Sequence, residues 1–219
     1  MKQRPIIFNT EMVRAILDGR KTQTRRPMNP QPKPDTETSL GGYWFPCAAF
    51  QSMVHVEDLK NPLWRGMASD ACPICSVGDQ LWVRETFADC GPRLTYKADE
   101  DDGAHCVVKR WTPSIHMPRS AARIILEVTD IRVERVKDIK EQDAIAEGMA
   151  FTNYGLNQFG NQLPGWLWRN SNKHEECLSS AKWAFLNLWE SIYGEQSWQS
   201  NPWVWVIEFR VFSTTGGAA

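Results

Sequence analysis

The sequence predicts an α+β fold in which many short strands form a β-barrel, with helices near both ends of the chain and long loop insertions. Stretches of strand character recur through the middle of the chain, separated by turn-forming pairs such as Gly78-Asp79 and Asp102-Gly103. Helical apolar spacing occurs near both ends, and the pattern does not suggest a doubly wound sheet. With 219 residues, 42% of them hydrophobic, the chain is long enough for one substantial core.

The N-terminal segment predicts a strand and then a short helix. Residues 5–8 are typical of a short strand, and Asn9 or Thr10 is a suitable helix cap because its side chain can accept a hydrogen bond from the first turn. Apolar residues recur at helical spacing as far as Leu17, and Gly19 fits the helix C-terminus. The helix therefore leads directly into a basic segment, Arg20-Lys21-Thr22-Gln23-Thr24-Arg25-Arg26.

The central part of the chain predicts a linker followed by strands. Residues 27–42 are rich in proline and polar residues, which favours a loop or an extended linker. Strands are then predicted over residues 43–45, 80–87, 94–97, 106–110, 123–128 and 131–136.

The C-terminal part predicts two helices and a final strand. Residues 140–147 favour a short helix that ends at Gly148, and residues 173–193 favour a longer helix with one apolar face. Residues 151–172 lack periodicity, whereas the alternation over residues 203–212 predicts a strand. We therefore predict one domain over residues 1–212, with insertions near 27–70 and 151–172, and a flexible tail over residues 213–219.

Charge and composition narrow the possible functions. The net charge is −1, which disfavours general coating of DNA because such binding depends on excess positive charge. The N-terminus lacks the apolar core of a signal peptide, and no stretch approaches the roughly 20 apolar residues of a membrane span. We therefore expect a cytoplasmic protein without membrane partners. The eleven tryptophans predict core and turn packing, although a few could stack on bases.

The cysteines leave two possibilities open. In a chain without a secretory signal, six cysteines favour free thiols or a metal site over a disulfide framework. Cys72 and Cys75 have the spacing of half a zinc site, and Cys47 and His55 lie upstream as possible partners. The remaining spacing is irregular for a site that needs four ligands. We therefore expect no metal at these cysteines and no required cofactor.

Three short motifs occur in a defined order along the chain. They are Ile16-Leu17-Asp18-Gly19-Arg20-Lys21-Thr22-Gln23-Thr24-Arg25-Arg26, Gly78-Asp79-Gln80-Leu81-Trp82-Val83-Arg84-Glu85 and Asp143-Ala144-Ile145-Ala146-Glu147-Gly148-Met149. In order and character they resemble the signature of the ASCH family of the PUA-like superfamily. The whole chain, including residues 113–119 and 201–205, is similar to the longer ASCH proteins of tailed phages and prophages.

The resemblance implies a PUA-like β-barrel with helices at its rim and a cleft used for RNA or modified nucleosides. A small bacterial member of the family is an amidohydrolase that removes the acetyl group from N4-acetylcytidine with a lysine, a threonine and a glutamate. Carried over by motif, these residues fall on Lys21, Thr24 and Glu147. Because this chain is about twice as long, the insertions near 27–70 and 151–172 could reshape or cover the cleft.

The three residues carry the groups that amide hydrolysis needs. Thr24 is the candidate nucleophile, and Lys21 is the candidate base once burial or a nearby cation lowers its pKa. Glu147 would orient Lys21 or carry the proton. An extended segment would send Lys21 and Thr24 to opposite faces, so this site requires a turn or bulge between them. The alternative is that Lys21 belongs to a solvated basic patch after a helix end.

Five further charged residues are candidates for substrate binding. Arg20, Arg25 and Arg26 could hold a phosphate, or could serve only solubility. Arg84 and Glu85 alternate along a predicted strand, so at most one of them points into the cleft. Either could instead be half of a structural ion pair.

The sequence leaves three candidate functions. The first is hydrolysis of an acylated nucleoside, most concretely N4-acetylcytidine. The second is a non-catalytic module that binds RNA or a modified base. A ribonuclease is the third, although the sequence offers no convincing pair of histidines or metal-binding carboxylates for it.

Overall fold

The computed structural model describes residues 1–36, 41–91, 93–99, 108–169, 171 and 173–214, which adopt an α+β fold as predicted. The α-helices in these residues are α1 (Thr10–Leu17), α2 (Val56–Lys60), α3 (Arg65–Ala71), α4 (Glu141–Ala146) and α5 (Ala181–Tyr193). The strands are β1 (Gln3–Ile7), β2 (Gln23–Pro27), β3 (Lys33–Pro34), β4 (Tyr43–Cys47), β5 (Ser52–His55), β6 (Gln80–Arg84), β7 (Phe87–Asp89), β8 (Leu94–Tyr96), β9 (Ile124–Arg135), β10 (Ala150–Phe151), β11 (Trp166–Leu167) and β12 (Trp203–Thr214).

A five-stranded sheet forms the centre of the fold, in the order β1-β6-β9-β12-β2. β1 and β6 are parallel, and the other neighbours are antiparallel. β1 and β2 are the edges, and no ladder joins them within the described residues. The edges still touch, because the Arg26 guanidinium on β2 donates a hydrogen bond of 2.6 Å to the Ile7 carbonyl oxygen on β1.

Alternation along β12 divides the core into two apolar clusters. Trp205 and Ile207 belong to the larger cluster, which also takes in apolar residues of α1 and α2. Val204 and Val206 belong to the second cluster, which is built on α4 and α5. This arrangement packs α5 against the face of the sheet next to the start of β2.

Both predicted insertions contain regular structure. In the first, β3, β4 and β5 form a three-stranded sheet, and α2 and α3 follow. These helices have five and seven residues, too few for an apolar period to be recognised. The second insertion holds the two-stranded sheet of β10 and β11. Residues 37–40, 170 and 172 of the insertions lie outside the described residues.

Several predicted strand boundaries are wrong. β9 is one strand where two were predicted, over residues 123–128 and 131–136. Asp130 pairs with Glu208 and Val128 with Phe209, so Thr129 is an extra residue in a bulge that lets the ladder continue. The strand predicted over residues 80–87 is divided into β6 and β7. Of the strand predicted over residues 106–110, residues 108–110 are not extended into a ladder, and 106 and 107 lie outside the described residues.

Both C-terminal boundaries also differ from the prediction. The helix predicted from residue 173 begins only at Ala181, because the Ser180 hydroxyl caps it by accepting a hydrogen bond from the Trp183 amide at 3.3 Å. β12 continues to Thr214, beyond the predicted start of the tail, and residues 215–219 lie outside the described residues.

The described cysteines differ in their bonding state. Cys47, Cys72, Cys75 and Cys177 are free and buried, whereas Cys90 is disulfide-bonded, so the expectation of free thiols is wrong for Cys90. Within the described ranges, no group of three or more His, Cys, Asp or Glu side chains is placed to hold a metal ion. None of the helices in these ranges combines the length and apolar character needed to cross a membrane.

Candidate active site

Lys21 and Glu147 meet although 126 positions separate them in sequence. After α1 the chain turns at Gly19, whose φ is 73°, and the Lys21 amide donates to the Ala15 carbonyl oxygen at 2.9 Å. Lys21 and Glu147 then form an isolated antiparallel bridge. Gly148 has a φ of 103°, and a Cβ atom there would lie 2.8 Å from the Ala15 Cβ. A glycine at this position therefore permits the close approach of the two segments.

The Lys21 side chain is buried completely and every donor of its ammonium group is used. Nζ donates to Glu147 Oε2 at 2.8 Å and to the carbonyl oxygens of Glu147 and Gln23, each at 2.9 Å. Burial lowers the pKa of Lys21, and the charge of Glu147 only partly opposes this effect. A lysine with a lowered pKa gives up its proton more readily, as a general base must.

Arg25 holds the second oxygen of the same carboxylate. Its Nη1 donates to Glu147 Oε1 at 3.2 Å, and its Nη2 donates to Glu134 Oε2 at 2.9 Å. The side chain is fully buried, and its Nε has no hydrogen-bond partner in the described structure. Leaving a buried N–H unpaired costs about 1–3 kcal/mol, so this atom marks a position where an acceptor would be stabilised.

A second layer of charged side chains fixes the partners of Arg25. Arg132 on β9 donates to Glu134 at 2.6 Å and to Asp143 at 3.0 Å, and it also pairs with Glu208 on β12. Asp143 lies at the start of α4, the helix that carries Glu147 at its C-terminal end. The network therefore couples the position of α4 to the central sheet.

Thr24, Arg25, Arg26 and Glu147 line one small cavity of about 20 Å³. Its remaining wall is apolar and comes mainly from α5: Met12, Phe185, Leu188, Trp189, Ile192 and Tyr193. The Thr24 side chain is buried, and its hydroxyl makes no hydrogen bond within the described part of the chain. The volume suits about one water molecule, so the site is closed by α5.

Lys21 and Thr24 pair with different parts of the chain. Lys21 is bridged to Glu147, whereas the ladder of β2 with β12 begins at Gln23 and includes Thr24. No turn or bulge is assigned between the two residues in the described structure. Lys21 and Thr24 reach the same carboxylate, Lys21 by direct contact and Thr24 across the shared cavity.

Three of the five predicted binding residues do not line the cavity. Arg20 is engaged by the Gly148 carbonyl oxygen at 2.6 Å and by Asp18 at 2.8 Å. Arg84 donates to the Ile115 carbonyl oxygen. Glu85 is buried in a bidentate ion pair with Arg123, at 2.9 and 3.0 Å. Of the five residues, Arg25 and Arg26 therefore line the cavity, and Glu85 is half of an ion pair.

Sequence reasoning missed two parts of the site. Glu134 and Asp143 complete the ion network, and the alternation of Arg132 with Glu134 along a predicted strand is the signal that could have indicated a charged face. The apolar face of α5 was recognised, but nothing in its periodicity indicated that it covers Thr24.

Comparison of the chain with protein-family models, with curated proteins and with solved structures finds no match. The functional argument therefore depends on the geometry of this site.

Proposed function

We propose that this chain is an ASCH-family amidohydrolase of PUA-like fold that removes the acyl group from N4-acetylcytidine or a similarly acylated base. The observation that carries the proposal is a buried lysine–carboxylate pair beside a threonine hydroxyl that has no protein hydrogen-bond partner in the described chain. The central sheet also supports a PUA-like barrel, because its edge strands are linked by the hydrogen bond from Arg26 to the Ile7 carbonyl oxygen.

Each site residue has a role in the proposed reaction. The Thr24 hydroxyl oxygen attacks the acyl carbon while its proton passes to the neutral amine of Lys21, which Glu147 holds in place. The carbonyl oxygen becomes an oxyanion that accepts a hydrogen bond from the unpaired Nε of Arg25. The C–N bond then breaks, and the proton moves from Lys21 to the departing amino group. Water finally hydrolyses the acyl ester of Thr24 to the free acid.

Acetate release from N4-acetylcytidine tests this proposal. Thr24→Val keeps the shape of the side chain but removes the hydroxyl, so kcat should fall by roughly 10²-fold or more, with a much smaller change in KM. Thr22→Val is the matched control, because Thr22 is exposed and two positions away in the same segment. Lys21→Ala should lower kcat similarly, and Glu147→Gln should lower it by removing the charge.

The double variant gives a sharper result. If Lys21 and Thr24 act as one unit, Lys21→Ala with Thr24→Ala should be little slower than either single variant. Independent effects that multiply would contradict the proposed unit. Absence of acetate release by the wild-type protein from nucleoside and RNA alike would reject the amidohydrolase.

The second candidate is a non-catalytic module that binds RNA or a modified base. It is favoured by the small volume of the cavity, about 20 Å³, and by the cover that α5 forms over Thr24. This candidate predicts no acetate release, binding of oligonucleotides in preference to free nucleosides, and an affinity that falls steeply as the salt concentration rises.

A further inference from the structure

A separate pocket of about 220 Å³ lies at the N-terminal end of α5. It is lined by Lys137, Lys182, Trp183 and Trp198, and it shares no residue with the cavity around Thr24. Two lysines and two tryptophans thus line the same space. This combination differs from the purely apolar pockets that packing defects leave in a core.

The two lysines are not neutralised by carboxylates. Lys182 Nζ donates to the Lys137 carbonyl oxygen at 2.7 Å, and Lys137 Nζ donates to Gln199 Oε1 at 3.2 Å. Neither ammonium group forms an ion pair within the described residues, although most basic side chains near the Thr24 cavity do. Glu141 lies nearby, but its carboxylate accepts hydrogen bonds from the backbone amides of Ala181 and Lys182 at the start of α5.

The two indoles differ in exposure in a way that suits stacking. Trp198 is only 6% exposed and packs edge-on against Phe185, with ring centroids 6.3 Å apart. It therefore forms a fixed wall of the pocket. Trp183 is 55% exposed although it is a large aromatic residue on a well-packed helix. An exposed indole beside a fixed one offers a flat aromatic surface to a planar ligand.

We propose that this pocket binds a nucleotide, with the aromatic base against Trp183 and the phosphate between Lys137 and Lys182. The lysines provide charge for an anion, and the indoles provide stacking that accepts any base. The nucleotide is either free or one unit of a single strand, since both present the same base and phosphate. The inference does not depend on the amidohydrolase reaction.

Calorimetric titration with cytidine, cytidine monophosphate and a six-residue oligocytidylate tests the pocket. The monophosphate should bind about tenfold or more tightly than cytidine, because only the monophosphate engages the lysines. Trp183→Ala should weaken binding by about 5- to 150-fold, the range expected when one stacking contact is removed. Tighter binding of the oligomer than of the monophosphate indicates a strand as the occupant, and equal binding indicates a free nucleotide.

Matched variants separate this pocket from other aromatic and basic positions. Trp64, which is 58% exposed, is the control for Trp183, and Lys173, whose side chain is 73% exposed, is the control for Lys182. Lys182→Gln should weaken binding and lower the slope of log affinity against log salt by about 0.7 for a single strand, whereas Lys173→Gln should do neither. Binding that is absent in the wild type, or equally strong in Trp183→Ala and Trp64→Ala, overturns the proposal. Loss of binding in Thr24→Ala alone would place the nucleotide in the other cavity and overturn it too.

Discussion

Two buried glutamates of this protein pair with arginines, yet their surroundings differ. Glu85 accepts hydrogen bonds from Nε and Nη2 of one guanidinium group, that of Arg123, which also pairs with Asp99 at 2.8 Å and stacks on Tyr96 at 4.1 Å. Glu147 is divided between Lys21 and Arg25, and it borders a cavity. In the Glu85 cluster the charged side chains pair with one another. In the Glu147 cluster an arginine N–H and a threonine hydroxyl are left over.

This difference separates an ion pair whose polar groups are all used from one that borders a cavity with unused polar groups, as the proposed function requires. A buried charge is tolerated when its partners satisfy it, and a saturated cluster has nothing to offer a ligand. Unused donors beside a lysine of lowered pKa are costly to keep, and such arrangements concentrate at functional sites. Both clusters contain a residue of the three sequence motifs, so motif membership alone does not distinguish them.

The largest effect expected from this comparison is on stability. Arg123→Ala leaves Glu85 buried without its main partner, and it should lower the free energy of unfolding by about 3–5 kcal/mol. Thr24→Val should change that free energy by less than about 1.5 kcal/mol, because it breaks no hydrogen bond in the described chain. Urea denaturation measures both.

A matched double variant shows whether the loss at Arg123 comes from the stranded charge. Replacing both partners, as Glu85→Leu with Arg123→Met, should recover much of the stability lost in Arg123→Ala. An equally large loss in Thr24→Val, or a small loss in Arg123→Ala, would contradict the assignment of roles to the two clusters.

The two clusters should also respond to pH in opposite directions. Burial lowers the pKa of Lys21, so between this lowered value and the ordinary lysine value the unfolded chain binds more protons, and stability rises with pH. Burial raises the pKa of Glu85 despite Arg123, so between the ordinary glutamate value and this raised value the folded chain binds more protons, and stability falls as pH rises. Each slope is limited to about 1.4 kcal/mol per pH unit.

Variants that remove one titrating group at a time measure these slopes. The difference in unfolding free energy between the wild type and Lys21→Met should grow in favour of the wild type as pH rises through the alkaline window. The corresponding difference for Glu85→Gln should change only in the acidic window. If Lys21 is the base, kcat/KM should rise with pH up to about tenfold per unit until its lowered pKa is reached. A profile unchanged in Lys21→Met would exclude that role.

Local patterns predicted α1, α4 and β12 because each has a clear period and a cap or terminator, such as Gly19 or Gly148. The same rules failed where contacts between distant parts of the chain determine the local structure. Thr129 looked like the end of a strand, but the long partner β12 tolerates it as a bulge. α2 and α3 are too short to carry a period. Packing on the main core stabilises them instead, through Val56 and Leu59 of α2 and through Ala68 and Ala71 of α3.

The site was predictable only in part for a similar reason. The motifs indicated Lys21, Thr24 and Glu147, and the resulting neighbours are in contact or share a cavity. Arg25 and Glu85 are both charged residues of the motifs, and the sequence did not distinguish the one that lines the cavity from the one that forms a separate ion pair. The sequence does not show which partner a buried charge has in the fold. That α5 would close the cavity follows from long-range packing of its apolar face on Val204 and Val206, which no local pattern records.

The smallest predicted effect concerns the closure of the cavity by α5. Tyr193 and Arg26 line the same cavity, where the charge of Arg26 acts on the Tyr193 hydroxyl, and the Tyr193 ring packs on Trp189 with centroids 4.4 Å apart. Tyr193→Phe removes this polar interaction but keeps the packing, so it should favour opening by about 0.5–1.5 kcal/mol. On the proposed function a nucleoside displaces this cover, so KM should fall by about 2- to 12-fold, while kcat should change little. Asn187→Ala is the control, since Asn187 is exposed on the same helix and does not line the cavity. Steady-state kinetics with N4-acetylcytidine would show a raised KM in Tyr193→Phe if the hydroxyl binds the substrate instead of holding the cover closed.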